Sequence, residues 1–136
     1  MKPYVLDANA VMRYLTGGSG EERVAALIQR AAKGEARLSI SVINWGEVLY
    51  SLAKRAGLAN ATVDLKALSI YMESVAADEA QAEQAATLKF HYKMGYADSY
   101  AAALAMRTGA TLVTADPEFA KLGKRLKVLA LPRHKE

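Results

Sequence analysis

The stretch Lys2-Pro-Tyr-Val-Leu-Asp-Ala-Asn9 joins a short apolar run of strand-forming residues to an acidic residue, Asp7, at its carboxyl end. Near the other end of the chain, Thr111-Leu-Val-Thr-Ala-Asp-Pro117 repeats this pattern, with Asp116 after the run and a proline that suits the first position of a helix. Open α/β sheets bind their ligands outside the carboxyl ends of the strands. Asp7 and Asp116 are therefore predicted to be neighbours in space.

Strand-like and helix-like patterns alternate along the rest of the chain. Strands are predicted at residues 4–6, 37–42, 75–77, from 111 onward and at 127–131. Helices are predicted at residues 8–15, around 24–31, and at 44–57, 61–73, 79–93 and 98–109, with a short one after 117. Strands separated by helices favour a parallel sheet covered on both faces, so the expected fold is a three-layer α/β/α sandwich. Residues 1–136 show no repeat or linker and are expected to form one domain.

The composition narrows the class of protein. The chain has 136 residues, of which 52% are hydrophobic, a formal net charge of +4 and no cysteine. This is typical of a compact protein without a disulfide framework. No apolar run approaches the roughly 18 residues of a membrane span, and the N-terminus opens on a strand pattern in place of a signal peptide. We therefore expect a complete chain, a cytoplasmic location and no membrane partner.

Four acidic residues stand where an apolar stretch meets a turn or where a helix begins. Besides Asp7 and Asp116, Glu47 falls in the first turn of a predicted helix and Asp98 opens another. Each acid also has a purely structural interpretation. Asp7 and Asp116 can cap helix N-termini, Asp98 also stands at the start of a helix, and a glutamate in a first turn is favourable against the helix dipole. Taken together, the four acids predict one pocket for metal ions.

The sequence around these acids resembles a known family. The stretches that carry the resemblance are Val5-Leu-Asp-Ala-Asn9, Val42-Ile-Asn-Trp-Gly-Glu47, Tyr96-Ala-Asp-Ser-Tyr-Ala-Ala-Ala-Leu-Ala105 and Leu112-Val-Thr-Ala-Asp-Pro-Glu-Phe119. In their order and spacing they look like the motifs of PIN-domain nucleases, and more closely like those of the toxin subunit of VapBC toxin-antitoxin pairs. The resemblance covers essentially the full length. Any one motif would be weak evidence, whereas four in register are strong.

The resemblance implies a metal-dependent endoribonuclease that acts as the toxin of a type II toxin-antitoxin system. The acidic residues of the family map onto Asp7, Glu47, Asp98 and Asp116. Asn9 and Thr114 map onto the positions that orient the acids and the attacking water. The resemblance also implies a homodimer and a small antitoxin that covers the acidic pocket, with a basic side chain of the antitoxin inserted into it.

The chemistry of the residues agrees with this expectation. Phosphodiester hydrolysis needs an activated water, a clamp on the phosphate and help for the leaving oxygen, and Mg²⁺ or Mn²⁺ supplies all three. These hard ions prefer oxygen ligands, so four acids can serve one ion or two. The absence of cysteine, with His91 and His134 as the only histidines, argues against a structural zinc site or a Cys-His nucleophile.

Basic side chains are candidates for contacts with the RNA backbone. Arg13, Lys89 and Lys93 are expected around the cleft, together with basic residues near the C-terminus: Lys121, Lys124, Arg125, Lys127, Arg133 and Lys135. The alternative is that the C-terminal cluster is only a solvated tail. Trp45 is interpreted as a core aromatic side chain, in preference to a platform for base stacking.

Two other functions are compatible with parts of the sequence. The Asp7-Ala-Asn9 start is similar to that of haloacid-dehalogenase phosphatases, which depend on Mg²⁺, but Asn9 stands where those enzymes have a second acid. The other alternative is a catalytically silent binding module of the same fold. The presence of all four acids argues against it.

Overall fold

The computed structural model describes residues 1–133, and His134 and Lys135 lie outside this part of the chain. Its centre is a five-stranded, all-parallel sheet in the order β3-β2-β1-β4-β5. The strands are β1 Lys2–Leu6, β2 Ala36–Ser41, β3 Met72–Val75, β4 Thr111–Thr114 and β5 Val128–Ala130. The chain builds one half of the sheet outward from β1, then crosses to β4 for the other half. The carboxyl ends of β1 and β4 therefore border the point where the strand order reverses, which is where open α/β sheets bind ligands.

Helices cover both faces of the sheet, which confirms the expected three-layer α/β/α arrangement. They are α1 Ala8–Thr16, α2 Glu21–Ala32, α3 Val42–Ala56, α4 Leu58–Leu68, α5 Glu79–Tyr92 and α6 Tyr96–Thr108, followed by a 3-10 helix at Pro117–Arg125. Within residues 1–133, none of the helices combines the length and the apolar character that a membrane crossing requires.

The core consists of two apolar clusters, one on each face of the sheet. Leu6 of β1 belongs to the cluster formed with α1 to α4, and the preceding Val5 belongs to the cluster formed with α5, α6 and the 3-10 helix. Successive residues of a strand point to opposite faces, so a strand buried on both sides reads as the continuous apolar run seen in the sequence. Trp45 is half-buried and packs against the first cluster, as its interpretation as a core aromatic predicted.

The predicted boundaries of one helix and of the strand that follows it were wrong. Helix α4 ends at Leu68, not at residue 73, and β3 spans Met72–Val75 in place of residues 75–77. The cause is tertiary, because β3 pairs in parallel with β2 and this register buries the side chain of Met72 in the core. A pattern of local hydrophobicity carries no information about this pairing.

Helix α3 also begins earlier than residue 44. The hydroxyl of Ser41 accepts a hydrogen bond from the backbone N–H of Ile43 at 3.3 Å and caps a helix that starts at Val42. Glu47 therefore lies in the second turn of α3 and not in its first. The helix-dipole interpretation of Glu47 is weakened accordingly, because that effect falls off within the first turn.

Candidate active site

An open cleft of about 560 Å³ lies at the carboxyl ends of β1 and β4. Five of the six residues singled out in the sequence line it: Asp7, Asn9, Glu47, Asp98 and Asp116. The sixth, Thr114, is buried at the end of β4 and bonds to Asp7. Residues from four separate parts of the chain thus meet at one edge of the sheet.

Asp7 is the most buried of the acids, with 2% of its surface exposed. One carboxylate oxygen, Oδ1, accepts a hydrogen bond from the backbone N–H of Ala10 at 2.8 Å and caps α1. The other, Oδ2, accepts a hydrogen bond from the hydroxyl of Thr114. The helix-cap interpretation of Asp7 is therefore correct, and the same carboxylate also lines the cleft.

Three carboxylates, two of them on the lining of the cleft, lie close enough together to form a candidate metal site. Asp98 projects from the first turn of α6, and Asp116 caps the 3-10 helix by accepting a hydrogen bond from the backbone N–H of Glu118 at 2.9 Å. One carboxylate oxygen from each of Asp98, Asp116 and Glu118 lies within 4.8 Å of the other two. Glu118 was not singled out in the sequence, although it stands two residues after Asp116 in the last of the four motifs.

Glu47 reaches the cleft from α3. The side-chain amide of Asn44, one turn earlier, donates hydrogen bonds to Oε1 of Glu47 at 2.9 Å and to the backbone carbonyl of Ala97 at 3.1 Å. Asn44 is completely buried. It too was missed in the sequence, where its only signal was a polar residue among apolar neighbours in the Val42–Glu47 motif.

Burial and crowding of like charges raise the pKa of two of these acids. Burial raises the pKa of Asp7 from 3.8 to about 7; the bonds from Thr114 and Ala10 oppose this effect, and the charges of Asp98 and Asp116 add to it. Burial also raises the pKa of Asp98 to about 6, with further increases from Asp116, Glu47 and Glu118. The carboxylates are therefore held in a place where a negative charge is unfavourable unless a cation is near.

The chemistry of the donors suits a hard divalent cation. They are carboxylate oxygens, and among the described residues that line the cleft there is no thiol and no imidazole. Two oxygens bound to one Mg²⁺ lie roughly 3–4 Å apart, so small side-chain movements would bring the group of three within reach of one ion. Within residues 1–133, Glu118 pairs with Lys121 at 3.1 Å, whereas Asp7, Glu47, Asp98 and Asp116 have no Lys or Arg partner.

Of the basic residues considered for RNA contacts, the structure brings Arg13 and Arg133 to the cleft. The guanidinium of Arg13 donates to the backbone carbonyls of Ser19, Pro132 and Arg133 at 2.8, 2.6 and 2.7 Å. Arg13 thus holds the C-terminal segment against α1 and places Arg133 at the cleft.

The other basic candidates do not line the cleft, although Lys121 pairs with Glu118 beside it. Lys89 and Lys93 stand at the end of α5, outside the lining of the cleft, and Lys89 donates to the carbonyl of Met94 at 3.1 Å. Lys121, Lys124, Arg125 and Lys127 also lie outside the lining of the cleft. Lys135 lies outside the described residues.

Comparison with known protein families identifies the family of this chain. The family model of the PIN domain matches residues 4–125, and the chain therefore belongs to the PIN-domain family. No curated protein sequence matches the chain significantly.

Solved structures of similar fold include toxin-antitoxin proteins. VapBC2 from Rickettsia felis, bound to a DNA fragment from its promoter, has 19% identity and a TM-score of 0.76, covering 95% of this chain and 98% of that one. DNA-bound VapBC from Salmonella typhimurium has 18% identity and a TM-score of 0.74, covering 96% and 98%. VapC20 from Mycobacterium tuberculosis, described as a toxin that cleaves the sarcin-ricin loop, has 17% identity and a TM-score of 0.68, covering 88% and 95%.

Proposed function

We propose that this PIN-domain protein is a metal-dependent endoribonuclease and the toxin of a type II toxin-antitoxin pair. The observation that carries the proposal is the convergence of Asp7, Glu47, Asp98 and Asp116 on one open cleft of a PIN domain, with the pKa of two of them raised. Strongly shifted carboxyl groups in a cleft are typical of functional sites. We further propose that residues 1–136 form a single domain.

We assign Asp7, Asp98 and Asp116 as ligands of Mg²⁺ or Mn²⁺, with Glu47 binding directly or through water. Glu118 joins them because its carboxylate lies in the same group as those of Asp98 and Asp116. When bound, the ion polarises the phosphate, neutralises developing charge and lowers the pKa of a water molecule. Thr114 holds the carboxylate of Asp7 in place for this role, and Asn9 lines the cleft as a further oxygen or amide contact.

RNA is the substrate class that suits both the charged side chains on the lining of the cleft and the membership of the PIN-domain family. Without a cation the acids would repel a phosphate backbone, whereas Arg13 and Arg133 on the lining of the cleft supply positive charge beside them. The similar VapC20 is described as a toxin that cleaves the sarcin-ricin loop. Membership of the PIN-domain family also argues against the haloacid-dehalogenase phosphatase suggested by the N-terminal motif.

The proposed partners come from the similar structures. Two of these are VapBC complexes, so we propose a cognate antitoxin that covers the cleft, and by family resemblance a homodimer in the cytoplasm. Expression of the chain alone should arrest the growth of a bacterial host, and co-expression of the antitoxin should relieve the arrest. Harmless expression of a folded and RNase-active protein would contradict the toxin role.

The test of the enzymatic proposal is RNA cleavage by the purified protein. We expect cleavage of structured RNA with Mg²⁺ or Mn²⁺, none with EDTA, and none by an Asp98→Ala variant that remains folded. The matched control is Glu22→Ala, which removes an exposed acid from the first turn of α2 and away from the cleft. Cleavage by Asp98→Ala at the wild-type rate would refute the assignment of the site.

A further inference from the structure

Asn44 connects two walls of the acidic cleft. It is the third residue of α3 and is completely buried. Its amide nitrogen donates one hydrogen bond to the carboxylate of Glu47 at 2.9 Å and one to the carbonyl of Ala97 at 3.1 Å. Ala97 immediately precedes Asp98, so one amide group joins the acid of α3 to the backbone that carries the acid of α6.

The orientation of this amide follows from its partners. A carboxylate and a backbone carbonyl only accept hydrogen bonds, so the nitrogen of Asn44, and not its oxygen, must face them. The oxygen, Oδ1, is then left buried without a hydrogen-bond donor among the described residues. Burial of an unpaired carbonyl is unfavourable for folding. The presence of an asparagine at this position is therefore better explained by the hydrogen bonds of its two N–H groups to Glu47 and Ala97 than by a gain in the stability of the fold.

Glu47 is an exposed residue, and a glutamate side chain has several rotatable bonds that a hydrogen bond can hold in one rotamer. Its charge contributes to the raised pKa of Asp98, which means that the two carboxylates repel each other across the cleft. If the amide of Asn44 did not donate to Glu47, repulsion between the carboxylates of Glu47 and Asp98 would favour rotamers of Glu47 that point away from Asp98. Hydration of the Glu47 carboxylate by solvent would favour the same rotamers.

We propose that Asn44 is a positioning residue that keeps the carboxylate of Glu47 facing Asp98 so that both can serve one cation. This inference rests on the proposed metal-dependent function. Groups that orient metal ligands typically change metal affinity by about 10-fold to 100-fold when they are removed. The effect of losing Asn44 should depend on Glu47 being present, because Asn44 acts through that carboxylate.

The test is a double-mutant cycle read by calorimetric titration with Mn²⁺. We expect Asn44→Ala to weaken Mn²⁺ binding about tenfold or more in the wild-type background, and less than about twofold in a Glu47→Gln background. The control is Gln81→Ala, which removes another buried amide that donates to a backbone carbonyl and also has an unpaired oxygen, but lies outside the lining of the cleft. This control should bind Mn²⁺ as the wild type does. Equal losses in both backgrounds, or wild-type affinity in a folded Asn44→Ala protein, would overturn the proposal.

A second measurement does not require the Asn44 variant to fold. In ¹⁵N-labelled wild type, the two side-chain amide protons of Asn44 should be protected from exchange with water. In Glu47→Ala, the proton that faced the carboxylate should shift and exchange faster, while its partner bonded to Ala97 changes little. Identical amide signals in both proteins would overturn the proposed contact. This comparison uses metal-free protein, so it tests the contact of Asn44 with Glu47 whether or not the protein binds Mn²⁺. A wild-type protein that binds no Mn²⁺ would refute the proposed function and not this contact.

Discussion

The hydroxyl of Thr114 donates a hydrogen bond to Oδ2 of Asp7 and joins the ends of β4 and β1 across 107 positions of sequence. The same hydroxyl oxygen accepts a hydrogen bond from the backbone N–H of Asp116 at 3.0 Å. A hydroxyl has a single proton, so donation to Asp7 leaves its oxygen free to accept from Asp116. One side chain thereby sets the relative position of two acids that we propose as metal ligands.

Replacement of Thr114 by Val should raise the pKa of Asp7 further, because the Thr114 hydrogen bond is the largest of the contributions that lower it. The pH at which RNA cleavage reaches half of its maximum should then move upward. Stability should fall by about 1–3 kcal/mol, the usual cost of removing a hydrogen bond to a buried charged group. Thr114→Ser keeps the hydroxyl and is the control. The same pH–rate profile in the Val and Ser variants would contradict this prediction.

The metal-free protein should lose stability as the pH rises from about 4 to about 7. The pKa of Asp7 is 3.8 in its ordinary state and about 7 in the folded protein, so the folded state binds the proton more tightly than the unfolded state does. Protonation of Asp7 therefore stabilises the folded state, by an amount on the order of 4 kcal/mol in the free energy of unfolding. This stabilisation is fully present below pH 3.8 and is lost as the pH rises through the pKa of Asp7 in the folded protein.

Urea unfolding at several pH values, in EDTA, measures this effect. Asp98 contributes in the same direction, because its pKa is also raised, to about 6. Asp7→Asn should flatten the pH dependence, since the amide has no proton to release in this range. A wild-type unfolding free energy that is constant or increases between pH 4 and pH 7 would contradict the prediction.

Asp98→Asn and Asp116→Asn should each raise the melting temperature of the metal-free protein while abolishing RNA cleavage. Each substitution removes one charge from a crowded group, and Asn still caps a helix at position 116. Wild type should gain roughly 2.7 kcal/mol from Mn²⁺ at about a hundred times its Kd, and the variants much less. Thermal melts with EDTA and with Mn²⁺ provide the measurement, with Asp64→Asn on α4 as the control. Equal stabilisation of all the proteins by Mn²⁺ would show that Asp98 and Asp116 are not ligands.

Glu118→Gln should weaken Mn²⁺ binding, because Glu118 contributes an oxygen to the group formed with Asp98 and Asp116. Glu118 also pairs with Lys121 on the surface, and loss of such an exposed ion pair costs only about 0–1 kcal/mol. Lys121→Ala breaks the same ion pair but keeps the carboxylate, and so separates the two roles. If titration shows that both variants bind Mn²⁺ as tightly as wild type, Glu118 is not a ligand.

Arg13→Lys should loosen the C-terminal segment although it preserves the charge. The planar guanidinium reaches three backbone carbonyls at once, and the single amino group of lysine cannot reproduce that geometry. We expect a loss of about 1 kcal/mol in the free energy of unfolding and an increased KM for RNA, because Arg133 would no longer be held at the cleft. Arg23→Lys on α2, outside the lining of the cleft, is the control. An unchanged KM in a folded Arg13→Lys protein would argue against this role.

The sequence by itself was sufficient to predict the parallel α/β/α fold and the meeting of the four acids. Both predictions depend on local signals. Apolar runs such as the one before Asp7 mark strands buried on both faces, and helical periodicity marks the connections between them. Asp7 and Asp116 follow two parallel strands and so share one edge of the sheet, whereas Glu47 and Asp98 lie on helices and were expected at this edge from the resemblance to the PIN-domain family.

Only the tertiary structure decided which polar groups face one another within that edge. The position of β3 depends on pairing with β2, and the contact between Asn44 and the backbone of α6 depends on how α3 packs against α6. Glu118 joins Asp98 only because the 3-10 helix after Asp116 turns it toward the start of α6. Spacing along a chain specifies the element on which a side chain lies, whereas the distances between side chains on different elements are set by the packing of the core between them.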